Sequence, residues 1–172
     1  MRLGPETVVD AAHRMGITSE LDPHPAIALG GLTTGVSPLE MASAYGTIAS
    51  EGMHVSPTVV LRVTDDAGQI VWEPEFAATR AIDAEVAKTA SAMLHDVVEQ
   101  GTGGAARLET WTAGKTGTNQ QYRDAWFVGY SENVATAVWV GHPEGQVPMT
   151  DVHGIRVTGG SFPALIWQRY MS

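Results

Sequence analysis

Residues 113–118, Ala-Gly-Lys-Thr-Gly-Thr, place small, hydroxylic and cationic groups where an ordinary strand carries large apolar ones. With Trp111 and Thr112 in front, the stretch 111–118 reads as a strand of period two, with Thr116 and Thr118 on one face and Lys115 on the other. Gly114 and Gly117 weaken such a strand but let another backbone or a ligand lie close against it. The pattern is that of a binding edge, with two hydroxyls converging beside a cation. Such a strand needs a sheet beside it and helices behind it, so the rest of the chain is read for those.

At 172 residues the chain suits one unit over residues 1–172, and a chain of that size buries roughly 70% of its unfolded surface. The net charge of -9 argues against tracking nucleic-acid phosphates and against an anionic membrane surface, so no nucleic-acid partner is expected. The absence of cysteine excludes disulfides and thiolate metal sites. No apolar run of about 18 residues appears, and residues 1–5 lack the apolar segment of a signal peptide, so no targeting signal is expected in these residues.

Gly4-Pro5 followed by Val8, Ala12 and Met15 predicts a short helix closed by Gly16. Residues 18–35, rich in proline and glycine, read as an ordered connector. Ser37-Pro38-Leu39-Glu40 is a capping box, worth about 1 kcal/mol, and opens a helix whose Leu39, Ala42, Tyr45, Ile48 and Ala49 are expected in the core. Residues 58–64 and 69–73 predict a hairpin about the turn Asp65-Asp66-Ala67-Gly68. Asp83 caps a second helix with Val86, Ala87, Ala90, Leu94, Val97 and Val98 on one face, ending at Gly101-Thr102-Gly103-Gly104. Strands over 124–130 and 134–141 follow residues 111–118, so the three predict an antiparallel meander. After a polar loop from His142, Ser161 caps a last helix whose Phe162, Leu165, Ile166 and Tyr170 are expected to lie across the sheet. The fold class is α+β, an antiparallel β-sheet flanked by helices.

Lys-Thr-Gly is one of three motifs shared by penicillin-binding proteins and class A β-lactamases. The Ser-x-x-Lys nucleophile motif cannot be placed, because the lysines are Lys88 and Lys115 and three residues before them stand Glu85 and Thr112. Ser131-Glu132-Asn133 has the form of the remaining Ser-x-Asn motif, but it lies between two apolar runs after the Lys-Thr-Gly strand and reads as a hairpin turn. Further blocks carry a resemblance: Leu3 to Val9, Ala28 to Tyr45, Val98 to Gly103, Gly114 to Thr118, Asp124 to Tyr130, and Val157-Thr-Gly-Gly. In this order they resemble the C-terminal half of the transpeptidase domain of a class A penicillin-binding protein. Asn119-Gln120-Gln121 after the motif, and Ser131-Glu132 where a Thr-Pro turn is more usual, depart from that pattern.

The resemblance implies a partial penicillin-binding protein or serine β-lactamase-like fold and a serine D,D-transpeptidase that cuts the D-Ala-D-Ala bond of a peptidoglycan stem peptide, passing the acyl group to an amine. It implies that Thr116, Gly117 and Thr118 bind substrate, the two hydroxyls holding the carboxylate of the stem peptide or of a β-lactam. The Thr118 N–H is then one oxyanion donor, and Lys115 the catalytic cation beside a serine of the absent Ser-x-Asn motif. It calls for no cofactor and no metal, and for the upstream remainder of the transpeptidase domain as the partner that carries the nucleophile. The parent protein would work on the outer face of the bacterial cell membrane. Isolated, the chain is expected to be inactive; the alternative is a noncatalytic binding or interaction fragment of the same fold.

Competing readings are weaker. A phosphate-binding loop ending in Gly-Lys-Thr needs glycine at position 109, where Glu109 stands. His142, Glu144, Asp151 and His153 lie in a proline-containing loop without spacing to aim them at a metal. Of the tryptophans, Trp111 and Trp126 are expected nearest the cleft, while for Asp124 binding substrate, pairing with Arg123 and capping a turn all stand open. Gly101-Thr102-Gly103 reads as a helix stop whose effect on the binding strand is indirect.

Overall fold

The computed structural model describes residues 3–172; the first two residues of the expected unit lie outside the described part. The elements run α1 (Pro5–Arg14), α2 (Pro38–Ala49), β1 (Met53–His54), β2 (Val63–Thr64), β3 (Ile70–Trp72), β4 (Thr79–Arg80), α3 (Ala84–Glu99), β5 (Ala113–Thr118), β6 (Asp124–Tyr130), β7 (Ala135–Gly141) and α4 (Phe162–Met171). The connector 18–35 contains one short 3-10 turn, Pro25–Leu29, whose Ala26 N–H donates to the His24 side chain. Helices and antiparallel sheets make the fold α+β, as the pattern of elements predicts.

β5, β6 and β7 form the expected meander in the order β5-β6-β7, with Lys115 opposite Val128 and Trp126 opposite Trp139. The turn at Ser131 is closed by its N–H to the Val134 carbonyl at 3.1 Å, so Ser131-Glu132-Asn133 is a hairpin connection. On one sheet face Phe127 meets Trp167 of α4 edge-on at 5.2 Å, with Val98 of α3, Ala106 and Ala164 packed around them. Trp167 and Phe127 are fully buried, and each such side chain contributes about 1.5–3 kcal/mol.

The faces of α4 and α2 differ from the periodicity reading, whereas that of α3 departs from it only at Val86. In α4 the buried residues are Pro163, Ala164 and Trp167, while Leu165, Ile166 and Tyr170 are exposed; only Phe162 of the expected stripe packs on the core. In α2 the buried residues are Glu40, Ala44 and Thr47, and Leu39 faces solvent. In α3 Ala87 and Val98 are buried and Val86 is exposed. Ala44 and Ala164 take places on these faces beside Thr47 and Trp167, because a small residue lets the helix axis approach its neighbour closely. Ser161 does not cap α4 with its side chain; its Oγ instead closes a turn on Thr158, accepting from the N–H at 2.9 Å and donating to the carbonyl at 2.7 Å.

The capping box of α2 is larger than the sequence shows. Glu40 reaches back to Ser37, whose N–H and Oγ donate to Oε2 at 2.7 and 2.9 Å. Thr18 and Ser19, from the connector, add the rest: Thr18 N–H, Thr18 Oγ1 and Ser19 N–H donate to Oε1, and Ser19 Oγ donates to Oε2, at 2.6 to 2.9 Å. Burial pushes this carboxyl up, but the backbone donors of Ser37 and Ser19 and the hydroxyls of Ser37 and Thr18 outweigh it and hold the group far below the ordinary carboxylate range. Glu40 therefore ties the connector to α2 as a carboxylate. Below it Ile17, Leu21 and Ala44 form a separate small core with α1.

Residues 53–80 run out and back as a ribbon held by two separate two-stranded antiparallel sheets, β1–β4 at its base where Met53 faces Arg80 and β2–β3 where Val63 faces Trp72. The hairpin is shorter than predicted, and the base strands β1 and β4 add to it. Val59, Leu61, Ile70, Val71, Trp72 and Phe76 on this ribbon are all exposed.

Candidate functional site

β5 is an edge strand, and the ladder decides which of its backbone groups are free. Asn119 N–H bonds the Asp124 carbonyl at 3.0 Å, and with Thr118 opposite Ala125 the register continues without a slip. In an antiparallel pair, hydrogen-bonded and non-hydrogen-bonded positions alternate. Thr118, Thr116 and Gly114 are therefore the residues whose N–H and C=O turn away from β6 toward the open side. The Thr118 N–H is thus available to a ligand lying along that edge.

The side chains follow the same geometry. Thr116 and Thr118 share the face covered by α4 and by residues 157–160, and Thr118 is exposed while Thr116 is half-buried. Thr118 Oγ1 accepts the Gly159 N–H at 3.0 Å, and Thr116 Oγ1 lies 2.7 Å from Thr102 Oγ1. Lys115 starts from the opposite face, beside Val128, but its exposed ammonium folds round the edge and donates to the Thr116 carbonyl at 2.8 Å. Cation, hydroxyls and the outward N–H of Thr118 therefore border one open edge. A carboxylate placed there would meet hydroxyl, N–H and ammonium donors, with the outward Thr116 carbonyl already engaged by Lys115, and charge-assisted bonds of this type are roughly twice as strong as neutral ones.

The glycines explain how closely the site is built. At Gly117 an added Cβ would lie 3.2 Å from Trp126 Cβ on the face opposite the hydroxyls, and at Gly114 it would meet Phe127 Cζ at 2.6 Å. Gly159 sits directly over the β5–β6 ladder, where a Cβ would fall 2.3 Å from the Trp126 carbonyl oxygen and 2.6 Å from that of Gly117. Three of the residues that shape the site, Thr102, Gly159 and Gly160, were not singled out as site residues from the sequence. The signals for them were there, in Gly-Thr-Gly after a helix and Thr-Gly-Gly before one, but nothing in the sequence places them beside residues 14 and 41 positions away.

Other expectations are met differently. Asp124 neither pairs with Arg123 nor caps a turn; its Oδ1 accepts the Trp126 indole N–H at 3.1 Å, which orients the ring behind Gly117. Trp111 stacks on His95 at 5.1 Å and lines a cavity of about 420 Å³ with Ile48, Lys88 and Tyr130, which none of Lys115, Thr116 or Thr118 lines. On α2, burial, with the Tyr130 phenol nearby, pushes the Tyr45 hydroxyl up to about 12. Trp72 is exposed on the ribbon rather than packed. Asp151 Oδ1 accepts the Gly154 N–H at 3.0 Å, and the His142 carbonyl accepts that of Gly145 at 3.2 Å, so both residues close turns of the loop. Among the described residues no group of three or more His, Cys, Asp or Glu side chains is placed to hold a metal ion. No helix among them is long and apolar enough to cross a membrane.

Residues 20–152 match the penicillin binding protein transpeptidase domain. The chain belongs to this transpeptidase family. Penicillin-binding protein 1A of Mycobacterium tuberculosis is 32% identical to it over 190 residues, which take in 98% of the chain and 23% of that protein. Penicillin-binding protein 1B of Escherichia coli is 32% identical over 176 residues, covering 100% of the chain and 20% of its own length. Among solved structures, the PonA1 protein of Mycobacterium tuberculosis in complex with penicillin V matches with a TM-score of 0.86 and 31% identity, over 97% of this chain and 49% of that one. The chain thus spans about half of that solved relative and about a fifth to a quarter of the curated ones.

Proposed function

We propose that the β5 edge holds the C-terminal carboxylate of a D-alanyl-D-alanine stem peptide, or the carboxylate of a β-lactam, for a serine nucleophile supplied by polypeptide outside these 172 residues. One observation carries the reading. The Thr116 and Thr118 hydroxyls, the outward Thr118 N–H and the Lys115 ammonium border a single free strand edge. In this reading the hydroxyls bind the carboxylate of the leaving D-alanine. An extended peptide along the edge brings its scissile carbonyl to the Thr118 N–H, one of the two donors an oxyanion needs. Removal of one such donor costs about 10²–10³ in rate where it has been measured in serine hydrolases. Lys115 attracts the anionic peptide end and lies where a cation can orient the hydroxyls of the nucleophile-bearing part.

In cells the complete enzyme would cross-link peptidoglycan on the outer face of the bacterial membrane. The 172 residues by themselves bind without cutting, since no Ser-x-x-Lys occurs in them. A dye-labelled penicillin tests this. The isolated chain forms no covalent adduct, whereas mixing it with the serine-bearing remainder of the domain restores labelling, and Lys115→Ala in the mixture abolishes it. A stoichiometric adduct on the isolated chain would overturn the assignment of the nucleophile, and undiminished labelling with Lys115→Ala the role of the cation.

A further inference from the structure

We infer that Thr102 is a positioning residue for the β5 hydroxyls, and that together with the backbone of Gly159 and Gly160 it makes both threonines donors toward the open edge. The inference rests on the carboxylate reading of that edge and extends it to residues outside the strand.

A threonine hydroxyl carries one proton and two lone pairs, and an ionised carboxylate only accepts. A hydroxyl therefore helps to bind a carboxylate only when its proton points at the anion. At Thr118 the Gly159 N–H, 3.0 Å from Oγ1, engages a lone pair, so the hydroxyl proton is left to point elsewhere. At Thr116 the neighbour is another hydroxyl, Thr102 Oγ1 at 2.7 Å. With an anion in front of Thr116, the order that gives the anion a proton is Thr102 donating to Thr116 and Thr116 donating outward. Each bond in such a chain polarises the next.

The loop that carries Thr102 is held where this order needs it. Gly103 N–H bonds the Val97 carbonyl at 2.9 Å and ends α3 immediately below. From the other side, a Cβ on Gly160 would stand 2.5 Å from the Thr102 carbonyl oxygen and 3.9 Å from Thr116 Cγ2. The backbone of 159–160 thus touches both the loop and the strand, so one contact surface fixes both hydroxyl partners. Packing alone does not require a hydroxyl at 102, where the side chain is exposed.

Titrating the 172-residue chain with N-acetyl-D-alanyl-D-alanine, and separately with its C-terminal amide, followed by nuclear magnetic resonance, tests the inference. Thr102→Val should weaken binding of the acid peptide roughly fivefold, leave the weaker binding of the amide unchanged, and be rescued to within about twofold by Thr102→Ser. In the unmutated chain the Thr102 and Gly159 resonances should shift with the acid peptide, which needs no variant to fold. Unaltered binding by Thr102→Val alongside losses in Thr116→Val and Thr118→Val would refute the role of Thr102 and leave the carboxylate reading standing. A Thr102 resonance that stays still at saturation would refute it equally. An unmutated chain that binds neither peptide, or does not distinguish acid from amide, would sink the carboxylate reading and this inference with it.

Discussion

Glu40 and the β5 edge are two answers by one chain to the same chemical problem. Around Glu40, two hydroxylic residues from the connector and one from the cap surround a carboxylate with backbone N–H groups and hydroxyls, six donors in all. Along β5, threonine hydroxyls, an outward N–H and a lysine ammonium are gathered without a carboxylate of the chain's own. The first set is closed and works as structure. The second has the same donor types, held by neighbours rather than consumed by them, and is free to take an anion from outside. Donor-rich places in this fold therefore divide by whether the sequence supplies the acceptor.

The largest effect should come from emptying the closed set. Glu40→Ala removes the acceptor of six hydrogen bonds and should lower stability by about 3 kcal/mol in urea denaturation, since a hydrogen bond to a charged group contributes about 1.5–3 kcal/mol and the six are not additive. A loss below about 1 kcal/mol would mean that the cluster is solvated and the contrast is false. The same contribution should titrate with a definite sign. The folded carboxyl is held below its ordinary value of 4.5, so its stabilisation is complete above that pH and shrinks as the pH falls further. The stability gap between the parent chain and Glu40→Gln should accordingly close in acid; a gap that widens there reverses the sign.

At the open set the expected effect is on binding. Thr118→Val should weaken N-acetyl-D-alanyl-D-alanine roughly tenfold, the range of a hydrogen bond to a charged group, and lower stability by only about 1 kcal/mol in urea, the cost of leaving the buried Gly159 N–H without its acceptor. Equal losses of stability in Thr118→Val and Glu40→Ala would erase the distinction between the two sites. The smallest change should follow Thr116→Ser, which keeps the hydroxyl: binding within about twofold of the parent chain in the same titration. A larger loss would show that the methyl group, not the proton, is what the ligand meets.

The β5–β7 meander, the α2 cap and the hairpin turn at Ser131 were legible because each is a local pattern, with strand alternation, a Ser-x-x-Glu box and a short polar break between apolar runs. The core-facing sides of α2 and α4 were not. Leu39, Leu165 and Ile166 stand in convincing stripes in the sequence yet face solvent, while Ala44 and Ala164 are buried; on α3 the expected face does hold the buried Ala87 and Val98, and of it Val86 alone is exposed. Hydrophobicity ranks residues by transfer, whereas the packed face also depends on how closely two backbones approach. At the site, Lys115, Thr116, Gly117 and Thr118 were readable from their own strand. Thr102 and Gly159 were not, because their meaning lies in contacts across the chain, as does the link from Glu40 to Thr18 and Ser19.

The fit of Gly159 over the Gly117–Trp126 rung has a consequence for inheritance. With only 2.3 Å between a hypothetical methyl carbon there and the Trp126 oxygen, the segments around residues 102, 117 and 159 form one mould cast in three pieces. A hybrid gene that draws those pieces from different parents joins surfaces shaped against other partners. Crossovers within 102–160 should therefore be poorly tolerated, and variants that survive recombination should keep all three from a single lineage.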